Sequence, residues 1–143
     1  MLTGPNQPHS IYAEVIADPG AGTNFTCPVF AYVHNAIYVI RFRLVTDATV
    51  ANRYPALTIT PPVGQPWTIF GNLPVAASQT VDVTFMAGQP TDPTYATNLY
   101  TVGLPRHLWM PIGSVVTSNI RQLQAGDAIT LICATWEQVP AQV

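Results

Sequence analysis

The sequence predicts an all-β fold, a β-sandwich of jelly-roll type, and three observations support this prediction. Apolar and polar residues alternate with a period of two in several segments, which is typical of strands with one buried face. The 143 residues include 14 prolines, which leave few windows long enough for a helix. Turns that contain proline or glycine separate the segments at short intervals, as they do in sandwiches and barrels.

The alternation is clearest in the segment 36–46. Its predicted buried face carries four large apolar residues, Tyr38, Ile40, Phe42 and Leu44. Its opposite face carries two arginines among aliphatic residues, Ile37, Val39, Arg41, Arg43 and Val45. This pattern predicts a strand with one firmly buried face.

The later strands follow the same logic. In 78–88, Val81, Val83 and Phe85 are predicted to face the core. The segment 127–139 is apolar on both faces near its middle, which predicts a central strand of a packed sheet. Shorter strands are predicted at 10–17, 24–30, 55–60, 66–70 and 113–120. The segment 88–103 is the longest without a pattern, and long loops often carry contacts.

Length and composition limit the classes of protein to which the chain can belong. The length predicts a single domain over 1–143. Residues 1–10, which contain the stretch GPNQPHS, are expected to form a flexible N-terminal arm. Charged residues make up 8% of the chain, which has no lysine and a net charge of −2, so we predict no nucleic-acid partner. No apolar run approaches the length of a membrane helix, so no membrane partner is predicted. A surface so poor in charge either is solvated by Thr, Gln, Asn and Ser or packs against copies or a larger particle.

Residues with chemical potential are few and scattered. Seven acidic residues and three histidines show no spacing typical of a metal site or an acid–base pair, and no nucleophile or phosphate-binding motif is present. The two cysteines, Cys27 and Cys133, lie in apolar surroundings and are predicted to be buried free thiols. We therefore predict a non-enzyme without a catalytic residue, metal or cofactor.

The corner between two predicted strands at 46–60 contains Ala51, Asn52 and Arg53, followed by Pro55. Asparagine tolerates turn conformations and proline suits the start or edge of a strand, so a turn is predicted at 48–53. An arginine at such a corner can bond neighbouring carbonyl groups or a carboxylate. Asp127, which follows Gly126, is predicted to fix a second turn.

Eight residues are candidates for contact with a partner: Trp67, Tyr95, Tyr100, Arg106, His107, Trp109, Arg41 and Arg43. Arg106, His107 and Trp109 lie close together between two prolines, and tryptophan, tyrosine and arginine are enriched at interfaces. Arg41 and Arg43 share one strand face. Each also has a structural reading, as core or loop packing for the aromatic residues and as a solvated face for the arginines.

A set of short motifs occurs in a recognisable order: Ala51-Asn52-Arg53, Ala77-Ser78-Gln79-Thr80, Leu104-Pro105, Pro111-Ile112-Gly113, Ile120, Gly126-Asp127 and Glu137. Together they resemble a group of small virion proteins of tailed bacteriophages, over about residues 36–137. The resemblance implies a β-sandwich that decorates (cements) the capsid or serves elsewhere in the head, neck or tail. Families of this kind often end in paired acids, whereas Glu137 stands alone here.

For this chain the resemblance implies a homo-oligomer, typically a trimer, that binds the major capsid protein. It also implies location in the virion, after assembly in the host cytoplasm. A second hypothesis from a different class is a carbohydrate- or receptor-binding β-sandwich. Its platform for a glycan would be Trp109, Trp67 and the loop 88–103.

Overall fold

A computed structural model describes residues 10–27, 33–90 and 98–140. These residues form nine strands: β1 (Ser10–Ile16), β2 (Val33–Val45), β3 (Ala56–Thr60), β4 (Trp67–Phe70), β5 (Thr80–Ala87), β6 (Leu99–Leu104), β7 (Trp109–Met110), β8 (Val115–Ser118) and β9 (Ala128–Pro140). The described part of the chain contains no helix. Most of the proposed arm, residues 1–9, lies outside the described residues, and Ser10 already begins β1.

Two sheets pack against each other, which confirms the predicted β-sandwich. The large sheet has the strand order β1-β9-β2-β5-β6, with β7 also paired to β2, and the small sheet has the order β4-β3-β8. All of these pairings are antiparallel except the parallel pair of β5 and β6. The jelly-roll subtype stays a prediction.

The core lies between the sheets and is built largely from aromatic and branched aliphatic side chains. The rings of Phe25 and Phe42 meet edge to face, with centroids 5.4 Å apart, and Phe42 stacks on Phe85 at 6.3 Å. Such pairs contribute about 0.5–1.5 kcal/mol beyond the burial of their area. Val83 and Phe85 are fully buried, as the alternation of β5 predicted.

A β-bulge in β2 corrects the predicted assignment of faces. The register with β9 shifts between Ile37 and Val39, so Tyr38 is the extra residue. Ile37 is buried in the core, whereas Tyr38 is 50% exposed, the opposite of the prediction for both. An inserted residue reverses the alternation on one side of it, and periodicity alone does not reveal where this happens.

The central position of β9 is confirmed, since it pairs with β1 on one side and β2 on the other. A second register shift, between Arg41 and Arg43 of β2, places Leu131 of β9 on the outer face. Leu131 has a left-handed backbone (φ +52°) and a side chain that is 65% exposed. The apolar character of both faces of β9 therefore reflects one buried face and an outer face that carries Leu131 and Cys133.

A buried arginine joins two loops of the sandwich, the one between β2 and β3 and the one between β8 and β9. The side chain of Arg53 is fully buried. Its Nε and Nη2 donate to the two carboxylate oxygens of Asp127 at 2.9 Å, and Nη2 also donates to Asp47 at 2.7 Å. Its Nη1 donates to the carbonyl oxygens of Thr49 and Ala51, each at 2.8 Å. All five guanidinium N–H groups are thus hydrogen-bonded. Their acceptors are carboxylate and carbonyl oxygens, the two kinds of group that the sequence of the corner predicted.

Asp127 is equally well satisfied within this buried arginine cluster (Arg53, Asp47 and Asp127). Its carboxylate also accepts the backbone N–H groups of Asp47 and Gln124, each at 2.8 Å. Burial by itself would raise the pKa of Asp127, but the hydrogen bonds from Arg53 and the two backbone groups outweigh burial and lower the pKa. The hydrogen bond to Asp127 in turn raises the pKa of Arg53. Both groups are charged at neutral pH.

Candidate functional site

An open cleft of about 290 Å³ lies beside the bulge of β2. Its polar lining comes from four segments of the chain and consists of Tyr38, Gln89, Arg106, His107 and Glu137. Arg106 and His107 are neighbours in the sequence and were both predicted as interface candidates. The fold brings Tyr38 from β2 and Glu137 from β9 to the same cleft. We refer to this feature as the His107 cleft. Converging polar groups at a concave surface are the usual mark of a ligand site.

Backbone irregularities orient two side chains of the cleft. The bulge in β2 turns Tyr38 outward instead of into the core. His107 has a left-handed backbone (φ +52°), which is uncommon for a residue with a side chain. Its Nδ1 lies 3.5 Å from Oε2 of Glu137, a contact that becomes an ion pair when the imidazole is protonated. Bulges and unusual backbone conformations are enriched near functional sites.

Two glycines allow the wall of the cleft to close. Gly88 has φ +74°, and a Cβ on it would lie 2.8 Å from Cγ of Arg106. The aliphatic part of Arg106 therefore lies directly on the backbone of Gly88. On β6, a Cβ on Gly103 would collide with the carbonyl oxygen of Gln89. Arg106 and Gln89 can occupy these positions because Gly88 and Gly103, respectively, lack side chains.

The two candidate tryptophans lie on different sheets. Trp109 is exposed on β7, opposite Ala36 of β2. Its backbone N–H donates to the carbonyl oxygen of His107 at 2.8 Å. Trp67 is exposed on β4, opposite Ile59 of the small sheet. The structure therefore places Trp109 next to the His107 cleft and does not place Trp67 among its lining residues.

The two arginines of β2 lie on the outer face of the large sheet, as predicted, and differ in their surroundings. Arg43 binds Asp82 through Nε at 2.8 Å and Nη2 at 3.2 Å, and both side chains are partly exposed. This hydrogen bond lowers the pKa of Asp82 and raises that of Arg43. Arg41 is exposed beside them. The charge of Arg43 is thus balanced within the chain, which leaves Arg41 as the more available cation of the pair.

Tyr100 is used inside the sandwich, so it drops out of the candidate interface. It is buried, and its hydroxyl donates to the carbonyl oxygen of Leu73 at 2.7 Å and accepts the N–H of Leu73 at 2.8 Å. Burial raises the pKa of Tyr100. A Cβ on Gly71 would lie 2.8 Å from Cζ of this ring, so the loop passes directly over it. Tyr95, the other candidate in the loop, lies outside the described residues.

Sequence reasoning missed an apolar surface on the outer face of the large sheet. Ile11 and Val15 of β1 are 68% and 81% exposed, and Leu131 of the adjacent β9 is 65% exposed. We call these three residues the outer apolar strip. A solvated sheet face usually carries polar side chains, so exposed aliphatic residues of this size indicate a contact surface. The sequence did contain a signal for this surface, because β1 carries apolar residues on both of its faces.

Both cysteines are free thiols, as predicted, but only one is buried. Burial, together with the nearby charge of Glu14, raises the pKa of Cys27 to about 12, so this thiol stays protonated. Cys133 is half-buried on β9, opposite Val15 on the outer face, which corrects its predicted burial. Within the described ranges, no three or more His, Cys, Asp or Glu side chains form a group that could hold a metal ion. Across the same ranges, none of the structure is a helix long and apolar enough to cross a membrane.

Two surfaces therefore stand out, the His107 cleft and the outer apolar strip. Their chemistry differs, since the first is polar and concave and the second is aliphatic and exposed. No protein family model, curated protein or solved structure matches this chain.

Proposed function

We propose that the chain is a non-enzymatic structural protein of a phage virion, a capsid decoration protein that stabilises the head lattice. The observation that carries this proposal is the outer apolar strip, whose three aliphatic side chains remain largely in water in the single chain. Its partners would be further copies of the chain and the major capsid protein. The scarcity of charge over the whole chain suits a surface that is covered by other subunits.

The energetics favour attachment to a lattice. Complete burial of one valine, leucine or isoleucine side chain contributes about 1.5–3 kcal/mol. Part of this is offset by the loss of translational and rotational freedom on binding, so one copy of the strip gives a modest affinity. Several copies held in one oligomer bind a repeating lattice much more tightly than one copy does.

Gold labelling tests the location. An antibody against the chain, visualised with gold on particles of the encoding phage, should give regular labelling over the head. Labelling confined to the neck or tail would assign the chain to another virion component, which is the alternative within this class. Unlabelled particles would contradict the virion proposal.

A charge in the outer apolar strip should prevent attachment. We expect Leu131→Glu to weaken binding to purified particles at least tenfold, because a desolvated carboxylate would face an apolar contact. Co-sedimentation with particles measures the change. Val50→Glu, at a fully exposed residue of the loop after β2, is the matched control and should bind like the wild type. Equal binding by both variants would exclude the strip as the attachment surface.

The His107 cleft favours a second function, binding of a carbohydrate or of a glycosylated receptor. Planar polar groups and an exposed tyrosine converge there, with Trp109 close by. A sugar is recognised by hydrogen bonds to such planar groups and by packing of its apolar face on an aromatic ring.

We expect any glycan that binds this cleft to change the fluorescence of Trp109 and to lose at least tenfold in affinity with Tyr38→Ala. Tyr12→Ala removes an exposed tyrosine from β1 and serves as the control. A flat fluorescence response across a glycan panel would contradict this second function and leave the virion proposal unaffected.

A further inference from the structure

We propose that β1 pairs antiparallel with β1 of a second copy, about a two-fold axis at Ala13, so that two large sheets become one continuous sheet. This inference goes beyond the proposed function, because it stands on β1 alone. It holds whether or not the chain belongs to a virion.

β1 is an open edge of the large sheet. It pairs with β9 along one side over all seven residues, Ser10–Ile16, and in the described ranges no strand pairs with its other side. Every second residue therefore directs its backbone N–H and C=O groups away from the sheet. Natural edge strands are usually protected by charged side chains, proline or a bulge, and β1 has no lysine, proline or bulge. Its single charged residue is Glu14.

The sequence of β1 is self-complementary about Ala13. In this register Ile11 lies opposite Val15 of the second copy, and Val15 opposite the second copy's Ile11. Both residues are on the outer face, where they are 68% and 81% exposed in the single chain. Directly opposed side chains lie about 4.5–5.5 Å apart, so each pair would be in contact. The contact thus brings the two exposed aliphatic side chains of each strand against those of its partner on the outer face.

The charge of Glu14 favours the same register. With the axis at Ala13, Glu14 lies opposite Tyr12 of the second copy. With the axis one residue later, Glu14 would face the second copy's Glu14, and directly opposed like charges are destabilising. A two-fold axis perpendicular to the sheet keeps the outer faces of both copies on one side. Each residue must then lie opposite a residue of the same face, so the axis must be level with a residue and not midway between two. Of these registers, only the one at Ala13 pairs all seven residues of β1.

The pairing would also enlarge the outer apolar strip. A two-fold axis perpendicular to the sheet keeps both outer faces on the same side, so the strips of two copies meet at the axis. The contact is isologous and closes after two copies. A trimer, as implied by the resemblance to decoration proteins, would need a second surface elsewhere on the molecule.

Charge exchange tests both the contact and its register. We expect the full chain to sediment as a dimer at about 100 µM, where a pairing with a micromolar Kd is populated. Ile11→Lys or Val15→Glu alone should weaken the dimer at least tenfold. The double variant should recover at least half of this loss on a logarithmic scale, because the two introduced charges then face each other across the axis twice. Val63→Glu, at an 88% exposed valine before β4, is the matched control.

A wild-type chain that sediments as a monomer at this concentration would overturn the proposal. So would a double variant as weak as the single variants, or a loss of the dimer in the control. The fold of each variant is checked by its melting temperature at a concentration where the wild type is monomeric, and this should be unchanged because the replaced side chains are exposed. Gold labelling of particles does not depend on this result, so the two proposals fail separately.

A disulfide provides a second measurement that does not rely on introduced charge. Antiparallel Cα atoms at the axis are about 4.5–5.5 Å apart, which lies within the range for a disulfide. Mild oxidation should therefore link Ala13→Cys into a covalent dimer, whereas Val63→Cys should remain largely monomeric. Equal cross-linking of both variants would contradict the two-fold contact.

Discussion

Arg53→Met should lower the free energy of unfolding by about 3–5 kcal/mol, as expected when one partner is removed from a buried ion pair. The side chain of Asp127 is fully buried, so the substitution leaves an unpaired carboxylate in the interior. The carbonyl groups of Thr49 and Ala51 lose their donor as well. Urea-induced unfolding measures the change, and the melting temperature should fall by about 2–4 °C for each kcal/mol.

Arg43→Met is the matched control within the same chain. Arg43 also forms a two-point contact with a carboxylate, that of Asp82, but both side chains are partly exposed. Exposed pairs contribute about 0–1 kcal/mol, so this variant should unfold nearly like the wild type. Similar losses in the two variants would contradict the view that burial gives the Arg53 contacts their weight.

The difference between these arginines shows how far the sequence could be read. The corner at 48–53 and the tendency of Arg53 to bond carbonyls or a carboxylate followed from local residue chemistry. Its principal partner, Asp127, is 74 residues away and had been assigned only a turn. Asp127 also serves in its own turn, where its carboxylate accepts the N–H of Gln124. The local sequence indicates which kinds of hydrogen-bond partner a residue requires, whereas the fold determines which distant group provides them.

The fold class was predictable because it depends on average alternation over many residues. The faces of β2 around Ile37 and Tyr38 were not, since both residues are large and apolar and either could have been buried. A bulge changes the face of a residue without any change in composition. Leu131 on β9 has the same origin, and the exposure that places it in the outer apolar strip came only with the register of β2 and β9.

The candidate site was predictable only in part for a related reason. Arg106, His107 and Trp109 are neighbours in the sequence, so their proximity needed no fold. Tyr38 and Glu137 join them through the pairing of β2 with β9, which a single sequence does not specify. Tyr100 shows the opposite error, because it was placed at a surface within the predicted loop 88–103, whereas it lies on β6 and its hydroxyl binds Leu73 inside the sandwich.

The second large effect concerns removal of the negative charge of Asp127. Asp127→Asn should cost about 3–5 kcal/mol at pH 7, because the charge opposite the buried guanidinium of Arg53 is removed. An amide also offers one acceptor oxygen where the carboxylate oxygens take four hydrogen bonds, from Arg53, Asp47 and Gln124. Urea-induced unfolding at pH 7 measures the loss.

The dependence on pH identifies the carboxylate as the cause. The pKa of Asp127 is lowered in the folded chain relative to about 3.9 in the unfolded chain. Its ionisation therefore stabilises the fold fully above that value, and the stabilisation is lost as the pH falls through the folded pKa. The difference between the wild type and Asp127→Asn should be constant from pH 7 to 5 and shrink below about pH 4.

The other titrating groups are common to both proteins and largely cancel in this comparison. Asp82, whose pKa is also lowered, is an example, because its partner Arg43 is present in both. A difference that stayed constant down to pH 2 would show that the variant fails through shape or lost hydrogen bonds alone. A difference that closes in acid would mean that the charge of Asp127, held by Arg53, fastens the corner at 48–53 to the start of β9.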